Sequence, residues 1–453
     1  MVKRAVVREL MDDSACSHAS PNKNNKISDR PRPAAAPGGC AFEGAQISLF
    51  PFADAAHLVH GPMTCLGASW ETRETPTSYE GRDMTRMGFA TEIDNNTVIF
   101  GGSDKLEASV DYIVENYHPE AVFVYLTCVT ALTGENVDAV CKKAEERHGI
   151  PVMSVNAAGF MGAKNLGSRL AANDVFHKLI GTKEPEYTTP YDINLIGEYN
   201  VTGDMWQYLP ILEELGIRVL STFSGDGRIE KIRCAHRAKL NIVMCAKSLI
   251  SFARQMEKKY DIPFIFGSFY GRRSTTKSIM DICHALGDED LIQRAEIVCA
   301  REEAKLEKQL APYKAILTGK KAVLNTGGNK AWSFASALQD LGIIVVATSV
   351  RKSIQEDVIQ ARKLLGEDAI LMTNPGKEQA QIAKEHNVDI MLAGGRSLYT
   401  ALKQRIPFCD VNQEKCVSYG AYNGMVTFAR DLCAAVQNPV FKVVSQPAPW
   451  EVK

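Results

Sequence analysis

The chain has 453 residues, a formal net charge of −1 at pH 7, and 45% hydrophobic residues. Its near-neutral charge gives no excess of basic residues for nucleic acid or an anionic membrane, so we expect neither as a partner. It has no apolar run of the length that spans a bilayer, and its start lacks the apolar segment of a signal peptide. We therefore expect a cytoplasmic protein whose 12 cysteines are mostly reduced.

The first predicted segment is an N-terminal extension over residues 1–39. Residues 17–39 are rich in Pro, Ser, Asn and Ala and contain almost nothing large and apolar. Burial cannot offset the entropy of ordering such a segment, so we expect it to be extended or mobile. The globular part is predicted to begin near Cys40.

From there, apolar runs of strand length alternate with amphipathic stretches of helix length, such as the predicted helix 135–149. Most of the runs are rich in Val and Ile and do not alternate, as in parallel strands covered on both faces. Alternating strands and helices predict α/β units with parallel sheets, in three Rossmann-like domains over residues 40–190, 191–320 and 321–453. The predicted strands are 121–128, 193–200, 217–223, 240–245, 263–269, 321–328, 343–349 and 388–395.

Two segments share one layout. LPILEELGIRVLSTF (209–223) and ASALQDLGIIVVATS (335–349) each combine a helix, a Leu-Gly stop and a β-branched strand. The glycine suits the end of a helix, so these segments predict similar units in two domains. The charged stretch 292–317 predicts a helix that links the second and third domains, with its charges on a solvated face.

Three cysteines, Cys40, Cys65 and Cys128, are flanked by Gly, Ala, Ser or Thr, and Cys128 ends a predicted strand. In open α/β sheets, ligands bind outside the carboxyl ends of the strands. The spacings match no CxxC pattern, so the residues alone leave open whether these are buried structural thiols or ligands of a shared metal site. Small neighbours would let a bulky iron–sulfur cluster approach the backbone.

The motifs that carry these cysteines resemble the nitrogenase component 1 superfamily, and within it the α-like subunit of the scaffold that assembles the iron–molybdenum cofactor. The resemblance runs over essentially the whole chain. The segments that carry it are CAFEGAQISLFPFADAAHLVHGPMTCLGASW, FVYLTCVTALTGENVDAVC, INLIGEYNVTGDMWQYLPILEELGIRVL, the leader DDSACSHASPNKN and the end PVFKVVSQPAPW.

The resemblance implies that Cys40, Cys65 and Cys128 bind a [4Fe–4S] cluster at the interface with a NifN-type β-like subunit, in an α2β2 heterotetramer. It implies that the chain receives an 8Fe iron–sulfur–carbide precursor from NifB. Molybdenum and homocitrate would then be inserted with NifH, and the cofactor would pass to the nitrogenase α subunit. Whether such an assembly platform is an enzyme is partly a matter of definition.

A second site is implied at Cys245, which follows the predicted strand in LNIVMC and precedes a helix. In the catalytic α subunit the matching cysteine ligates the terminal iron of the cofactor, so here it would hold or face the precursor. Without the resemblance, Cys245 would be interpreted as a buried cysteine at the start of a helix.

Three positions differ from the catalytic subunit. Asn412 stands where that subunit has a histidine ligand to molybdenum, Ser168 where it has a histidine near the substrate, and Lys164 where it has a glutamine beside the cofactor. An amide is a poorer metal ligand than an imidazole. These differences favour a protein that releases its cofactor over one that reduces dinitrogen.

The resemblance also implies a basic lining for the anionic cluster and a polycarboxylate, which need cationic partners. A lone Gly-Gly turn followed by a basic residue is weak evidence by itself. The predicted lining residues are Lys330 after Gly327 and Gly328, Arg396 after a second Gly-Gly pair, and Arg73.

Other interpretations stay open: a catalytic nitrogenase α subunit, a related reductase of a tetrapyrrole, a metal-free binding protein for a small molecule such as a sugar nucleotide, and a vanadium or iron-only counterpart of the scaffold. His57 and His60, three residues apart, are expected in the core or behind the ligands rather than on metal. The cysteines expected to be structural are Cys141, Cys234, Cys283, Cys299, Cys409, Cys416 and Cys433, while Cys16 has no assigned role.

Overall fold

A computed structural model describes residues 39–70, 87–366, 369–412 and 417–444. The predicted leader up to residue 38, Arg73 and Cys416 lie outside this part. Contacts divide the chain into two compact units. The first unit contains the described residues up to Val201 together with Ile217–Ile265, and the second contains Thr202–Gly216 and the described residues from Phe266 onwards. The boundaries of the three predicted domains stay a prediction.

The first unit begins with a four-stranded sheet and its helices. Its elements are α1 (Ala41–Leu49), β1 (Ala55–His60), α2 (Met63–Trp70), β2 (Gly88–Ala90), α3 (Asn95–Phe100), α4 (Ser103–Tyr117), β3 (Ala121–Leu126), α5 (Cys128–Thr133), α6 (Val137–His148), β4 (Val152–Val155) and α7 (Lys164–Lys178). The strand order is β2-β1-β3-β4, with parallel pairing throughout. β1 and β3 are buried along their whole length, as expected for a parallel sheet covered on both faces.

Helix α4 illustrates how the sequence specifies these elements. Leu106, Val110 and Ile113 recur at helical spacing, and all three are buried in the core of the first sheet. The opposite positions are mostly charged or polar, so one face packs and the other meets solvent. The helix ends at Tyr117, and the next residue, His118, adopts the left-handed conformation typical of a helix terminus.

The first unit also contains a second four-stranded sheet. Its elements are β5 (Asp192–Glu198), β6 (Arg218–Ser224), α9 (Ile229–Arg233), β7 (Leu240–Val243), α10 (Ala246–Tyr260) and β8 (Phe264–Phe266), while α8 (Asp204–Glu214) belongs to the second unit. The strand order is β6-β5-β7-β8, and β5 pairs in parallel with both β6 and β7.

The second unit contains a five-stranded parallel sheet. Its further elements are α11 (Arg272–Leu286), α12 (Glu289–Leu317), β9 (Lys321–Asn325), α13 (Asn329–Asp340), β10 (Ile344–Ser349), α14 (Gln355–Leu365), β11 (Ile370–Met372), α15 (Pro375–Glu385), β12 (Ile390–Ala393), α16 (Leu398–Lys403), β13 (Phe408–Asp410), α17 (Ala421–Gln437) and α18 (Pro439–Val444). The strand order is β11-β10-β9-β12-β13. Among the described residues, no helix is long and apolar enough to cross a bilayer.

The predicted α/β class with three parallel sheets is confirmed. The two similar segments are α8 followed by β6 and α13 followed by β10, and the glycine after each helix has a positive φ, +77° at Gly216 and +76° at Gly342. Strands β1, β2, β4, β11 and β13 were not predicted. They are short or contain polar residues, so no continuous apolar run marks them.

Candidate functional site

Cys40, Cys65 and Cys128 meet at one edge of the first sheet. Cys65 lies in α2, which follows β1, and Cys128 starts α5, two residues after β3 ends. Because β1 and β3 are adjacent and parallel, the segments after them leave the same edge. Cys40 is the residue immediately before α1, and its backbone forms an isolated antiparallel bridge with Ala163.

Gly159 shows how close two of these thiols lie. A Cβ atom built on this glycine would be 3.0 Å from Cys128 Sγ and 3.2 Å from Cys40 Sγ. The missing side chain of Gly159, which lies in the segment between β4 and α7, therefore leaves room for these two sulfur atoms. The pKa of the Cys65 thiol is raised, mainly by burial and further by the charges of Cys128 and Cys40. All three thiols are thus electrostatic neighbours.

These thiols fit an iron–sulfur cluster better than a single ion. All three are free, and Cys128 is exposed while Cys40 and Cys65 are half-buried, so one side is open to solvent. Within the described residues, no three His, Cys, Asp or Glu side chains are placed to hold one metal ion. A cluster offers separate iron atoms to separate thiolates, so its ligands need not converge on a point. Bound iron would also offset the repulsion between the thiolates.

His57 and His60 lie on strand β1, and both are buried. His57 Nδ1 is 2.8 Å from the Tyr125 hydroxyl, and His60 is bonded through Nδ1 to Thr91 and through Nε2 to Glu135, 3.1 Å and 3.0 Å away. Burial lowers the pKa of His57 to about 3, so its ring is neutral. The prediction that these histidines belong to the core is confirmed.

Helix α7 has Lys164 as its first residue and begins beside the three-thiol site, the group formed by Cys40, Cys65 and Cys128. Lys164 forms an ion pair with Glu43 in the first turn of α1, and both side chains are about one-fifth exposed. The two helices touch backbone to backbone, because a Cβ on Gly44 would overlap the Lys164 carbonyl and one on Gly167 would overlap the Ala41 carbonyl.

Ser168 belongs to this packing. Its hydroxyl donates to the Gly44 carbonyl at 3.0 Å, and the side chain is buried. This position therefore carries a small side chain that joins α7 to α1.

Cys245 marks a second thiol site in the same unit. It lies two residues after β7 and immediately before α10, at the carboxyl end of the second sheet. Gly197 in the adjacent β5 has φ +87°, and a Cβ there would be 2.6 Å from Cys245 Cβ and 2.7 Å from its backbone nitrogen. The backbone and Cβ of half-buried Cys245 are therefore held against a glycine of the neighbouring strand.

The start of α7 connects the two thiol sites. Ala163, the residue before the helix, bridges to Cys40. Asn165 accepts a hydrogen bond at 3.1 Å from Ser248 in α10, three residues after Cys245. One turn later, Arg169 donates to the Lys247 carbonyl at 3.0 Å.

In the second unit, the remaining predicted residues follow adjacent strands of the third sheet. In its ladder, Ala393 at the end of β12 pairs with Asn325 of β9 and with Asp410 of β13. The segments that follow these strands therefore share one edge. They carry Gly327, Gly328 and Lys330 after β9, Arg396 after β12, and Asn412 after β13.

These residues have different surroundings. Lys330 places its ammonium 4.8 Å from the centre of the Tyr270 ring, and Arg396 is exposed. The Asn412 backbone N–H donates to the Asp410 carboxylate at 2.7 Å. A Cβ on Gly327 would be 2.6 Å from Cβ of Lys352, so Lys352 adds a basic residue to this edge.

The sequence analysis missed Glu43, Gly159, Gly197 and Lys352. Lys352 could have been found, because VRKS follows a predicted strand just as GGNK and GGRS do. Gly159 follows β4, which was not predicted. Glu43 and Gly197 matter through partners that are distant along the chain, so no local pattern marks them.

Three parallel sheets flanked by helices, with cysteine thiols after strands of the first two sheets, are the features of a nitrogenase component 1-type protein. The family model for nitrogenase component 1 type oxidoreductases matches residues 40–437. The chain belongs to this family.

Its curated relatives include NifE proteins. It is 51% identical over 450 residues to the nitrogenase iron-molybdenum cofactor biosynthesis protein NifE of Nostoc sp. strain PCC 7120, covering 98% of this chain and 93% of the relative. It is 45% identical over 452 residues to NifE of Klebsiella pneumoniae, covering 97% and 98%. A solved structure of nitrogenase Cp1 at pH 5 matches with a TM-score of 0.84 at 27% identity, covering 91% of this chain and 90% of that one. The resemblance predicted from the motifs is confirmed.

Proposed function

We propose that this chain is a scaffold on which the iron–molybdenum cofactor of nitrogenase is assembled. The observation that carries the proposal is the presence of two separate thiol sites in one unit. One is the group of Cys40, Cys65 and Cys128, and the other is the lone Cys245 against Gly197. A resident cluster and a transient cargo require two such sites. The names of the NifE relatives support the same role.

The three-thiol site is assigned to a [4Fe–4S] cluster at the interface with a NifN-type β-like subunit in an α2β2 heterotetramer. Large apolar side chains around the thiols support an interface. Met63 is 51% exposed on the helix of Cys65, Leu132 is 75% exposed on the helix of Cys128, and Phe160 beside Gly159 is 38% exposed. When bound, the cluster supplies one-electron transfer, and the chain holds it through thiolates.

The cargo is assigned to Cys245. We infer that it is an 8Fe iron–sulfur–carbide precursor delivered by NifB, into which molybdenum and homocitrate are inserted with NifH. Lys164, Lys330, Arg396 and Arg73 would balance its negative charge.

Two further features suit a temporary site. On this proposal, the backbone at Gly327 and Gly328 would face the cargo, and Asn412 would offer an amide where the catalytic subunit has an imidazole. A weaker ligand at that position favours release of the finished cofactor to the nitrogenase α subunit.

The test is anaerobic co-purification with the NifN-type partner, then iron counting and EPR before and after loading with the precursor. Replacing Cys40, Cys65 or Cys128 with Ala should lower resident iron, whereas Cys245→Ala should impair precursor retention and leave the resident signal intact. Cys234→Ala, at a buried cysteine of the same unit, is the matched control and should change neither signal.

Each contrary outcome has a definite meaning. Unchanged iron in all three variants of the three-thiol site would reject the resident cluster. Loss of both signals in Cys245→Ala would reject separate sites. Acetylene reduction by the complex would favour a catalytic subunit, and a resident signal without precursor uptake would favour a relative that reduces a tetrapyrrole.

A further inference from the structure

We propose that Glu43 is a positioning residue for the cluster ligand Cys40, acting through its ion pair with Lys164. The pair would fix the backbone of Gly39 and Cys40 and set the net charge beside the thiols. This inference rests on the proposed resident cluster, and it gives Lys164 a role at the three-thiol site in addition to the one expected at the cargo.

The first argument is contact. Gly39 has φ +109°, and a Cβ on it would overlap both the Glu43 carboxylate and the Lys164 side chain. The ion pair therefore packs directly on the residue that precedes Cys40. On the other side of Cys40, its carbonyl accepts the first hydrogen bond of α1, from Gly44 N–H at 3.1 Å. A displacement of the ion pair would therefore shift Gly39, which is bonded directly to Cys40.

The second argument is the position of Lys164. Cys40 and Ala163 are the residues that cap α1 and α7, they bridge to each other, and neither provides a side-chain cap. A lysine at the start of a helix opposes the helix dipole, so helix stability does not explain it. Glu43, in the first turn of α1, offsets this charge and suits its own helix.

The third argument is charge. Three thiolates on one cluster accumulate negative charge, and a nearby cation favours the reduced cluster. With Glu43 in place, the pair adds no net charge; without it, Lys164 would add one positive charge. Glu43 therefore determines how much Lys164 raises the reduction potential.

The test uses Glu43→Gln, Lys164→Gln and the double variant in the full chain co-purified with its partner. In cluster-free protein, each single variant should speed hydrogen exchange at the Gly44 amide by about threefold, the effect of losing one ion pair. Glu230→Gln, which breaks the exposed Glu230–Lys183 pair, is the matched control and should leave that amide unchanged.

After iron loading, the midpoint potential should rise in Glu43→Gln, fall in Lys164→Gln, and return close to the original value in the double variant. A merely structural role would not produce shifts of opposite sign. Shifts of the same sign, or no change in either exchange or potential, would overturn the proposal. If the unaltered complex held no iron, the proposed function and the charge effect would both fail, while exchange at Gly44 would still decide whether Glu43 positions Cys40.

Discussion

Gly159→Ala places one methyl group against two of the three thiols. The added Cβ would lie 3.0 Å from Cys128 Sγ and 3.2 Å from Cys40 Sγ. Non-bonded heavy atoms of this size settle at about 3.5–4.0 Å. Cys128 Sγ must therefore move by roughly 0.5–1.0 Å and Cys40 Sγ by roughly 0.3–0.8 Å, or the backbone at residue 159 must retreat by a similar distance.

The expected effect on folding is small and the effect on the cluster is large. The φ of Gly159 lies outside the left-handed region, so alanine adds no backbone strain there. Cys128 is exposed and can turn away, so overpacking should cost about 1 kcal/mol of the free energy of unfolding. Ligand distances to metals tolerate only about 0.2 Å, and disturbing the support of a metal site lowers affinity by about 10–100-fold.

The assay compares iron per complex after anaerobic reconstitution with the midpoint of urea unfolding of the cluster-free chain. Gly376→Ala is the matched control, because Gly376 lies in α15 of the second unit and a Cβ there meets nothing within 4 Å. The control should keep its iron and gain up to about 1 kcal/mol of stability. Full iron in Gly159→Ala, with unfolding unchanged, would refute the close grouping of these thiols.

Three further results are expected from the first unit. Gly197→Ala should lower the free energy of unfolding by about 2–5 kcal/mol, because φ is positive at this position and the added Cβ would lie 2.6 Å from Cys245 Cβ. An unchanged thermal midpoint would contradict this. Gly167→Ala should prevent stable folding, because its Cβ overlaps the Ala41 carbonyl; circular dichroism of a normally folded variant would disprove the contact. Burial raises the pKa of Asp54 from 3.8 to about 6, so the folded chain holds its proton more tightly than the unfolded chain. Protonated Asp54 should therefore add up to about 3 kcal/mol to the free energy of unfolding below pH 4, and this contribution should be lost as the pH rises through 6. Urea unfolding measured at several pH values should show this loss in the unaltered chain and not in Asp54→Asn.

The sequence predicted the sheets best where strands are continuous apolar runs. The runs at 121–128 and 343–349 became β3 and β10, because strands buried on both faces need no alternation. The segment AAHLVH, which forms β1, was not predicted as a strand because two histidines interrupt its apolar residues. Their buried partners, Tyr125 and Glu135 among them, are 68 and 75 residues away along the chain, so nothing local shows that this segment is a strand.

For the candidate site, the sequence supplied the thiols but not what surrounds them. The flanking small residues and the strand-end rule correctly placed Cys128 and Cys245 at carboxyl edges. The contacts that shape their surroundings, Gly159 beside Cys128 and Gly197 against Cys245, depend on which strands are neighbours. Sheet order is a property of the folded chain, so these glycines become recognisable only in three dimensions.

The glycine contacts between α1 and α7 have a mechanical consequence. Helices that meet through side chains can slide by changing rotamers, but backbones in direct contact at Gly44 and Gly167 have no such freedom. The two helices should therefore move together as one rigid body. Cys40 lies at one end of this body, and Ser248 of α10 is hydrogen-bonded to it at Asn165. If Cys245 holds the proposed cargo, other elements would have to move for the cargo to enter and leave, while α1 and α7 keep Cys40 in place.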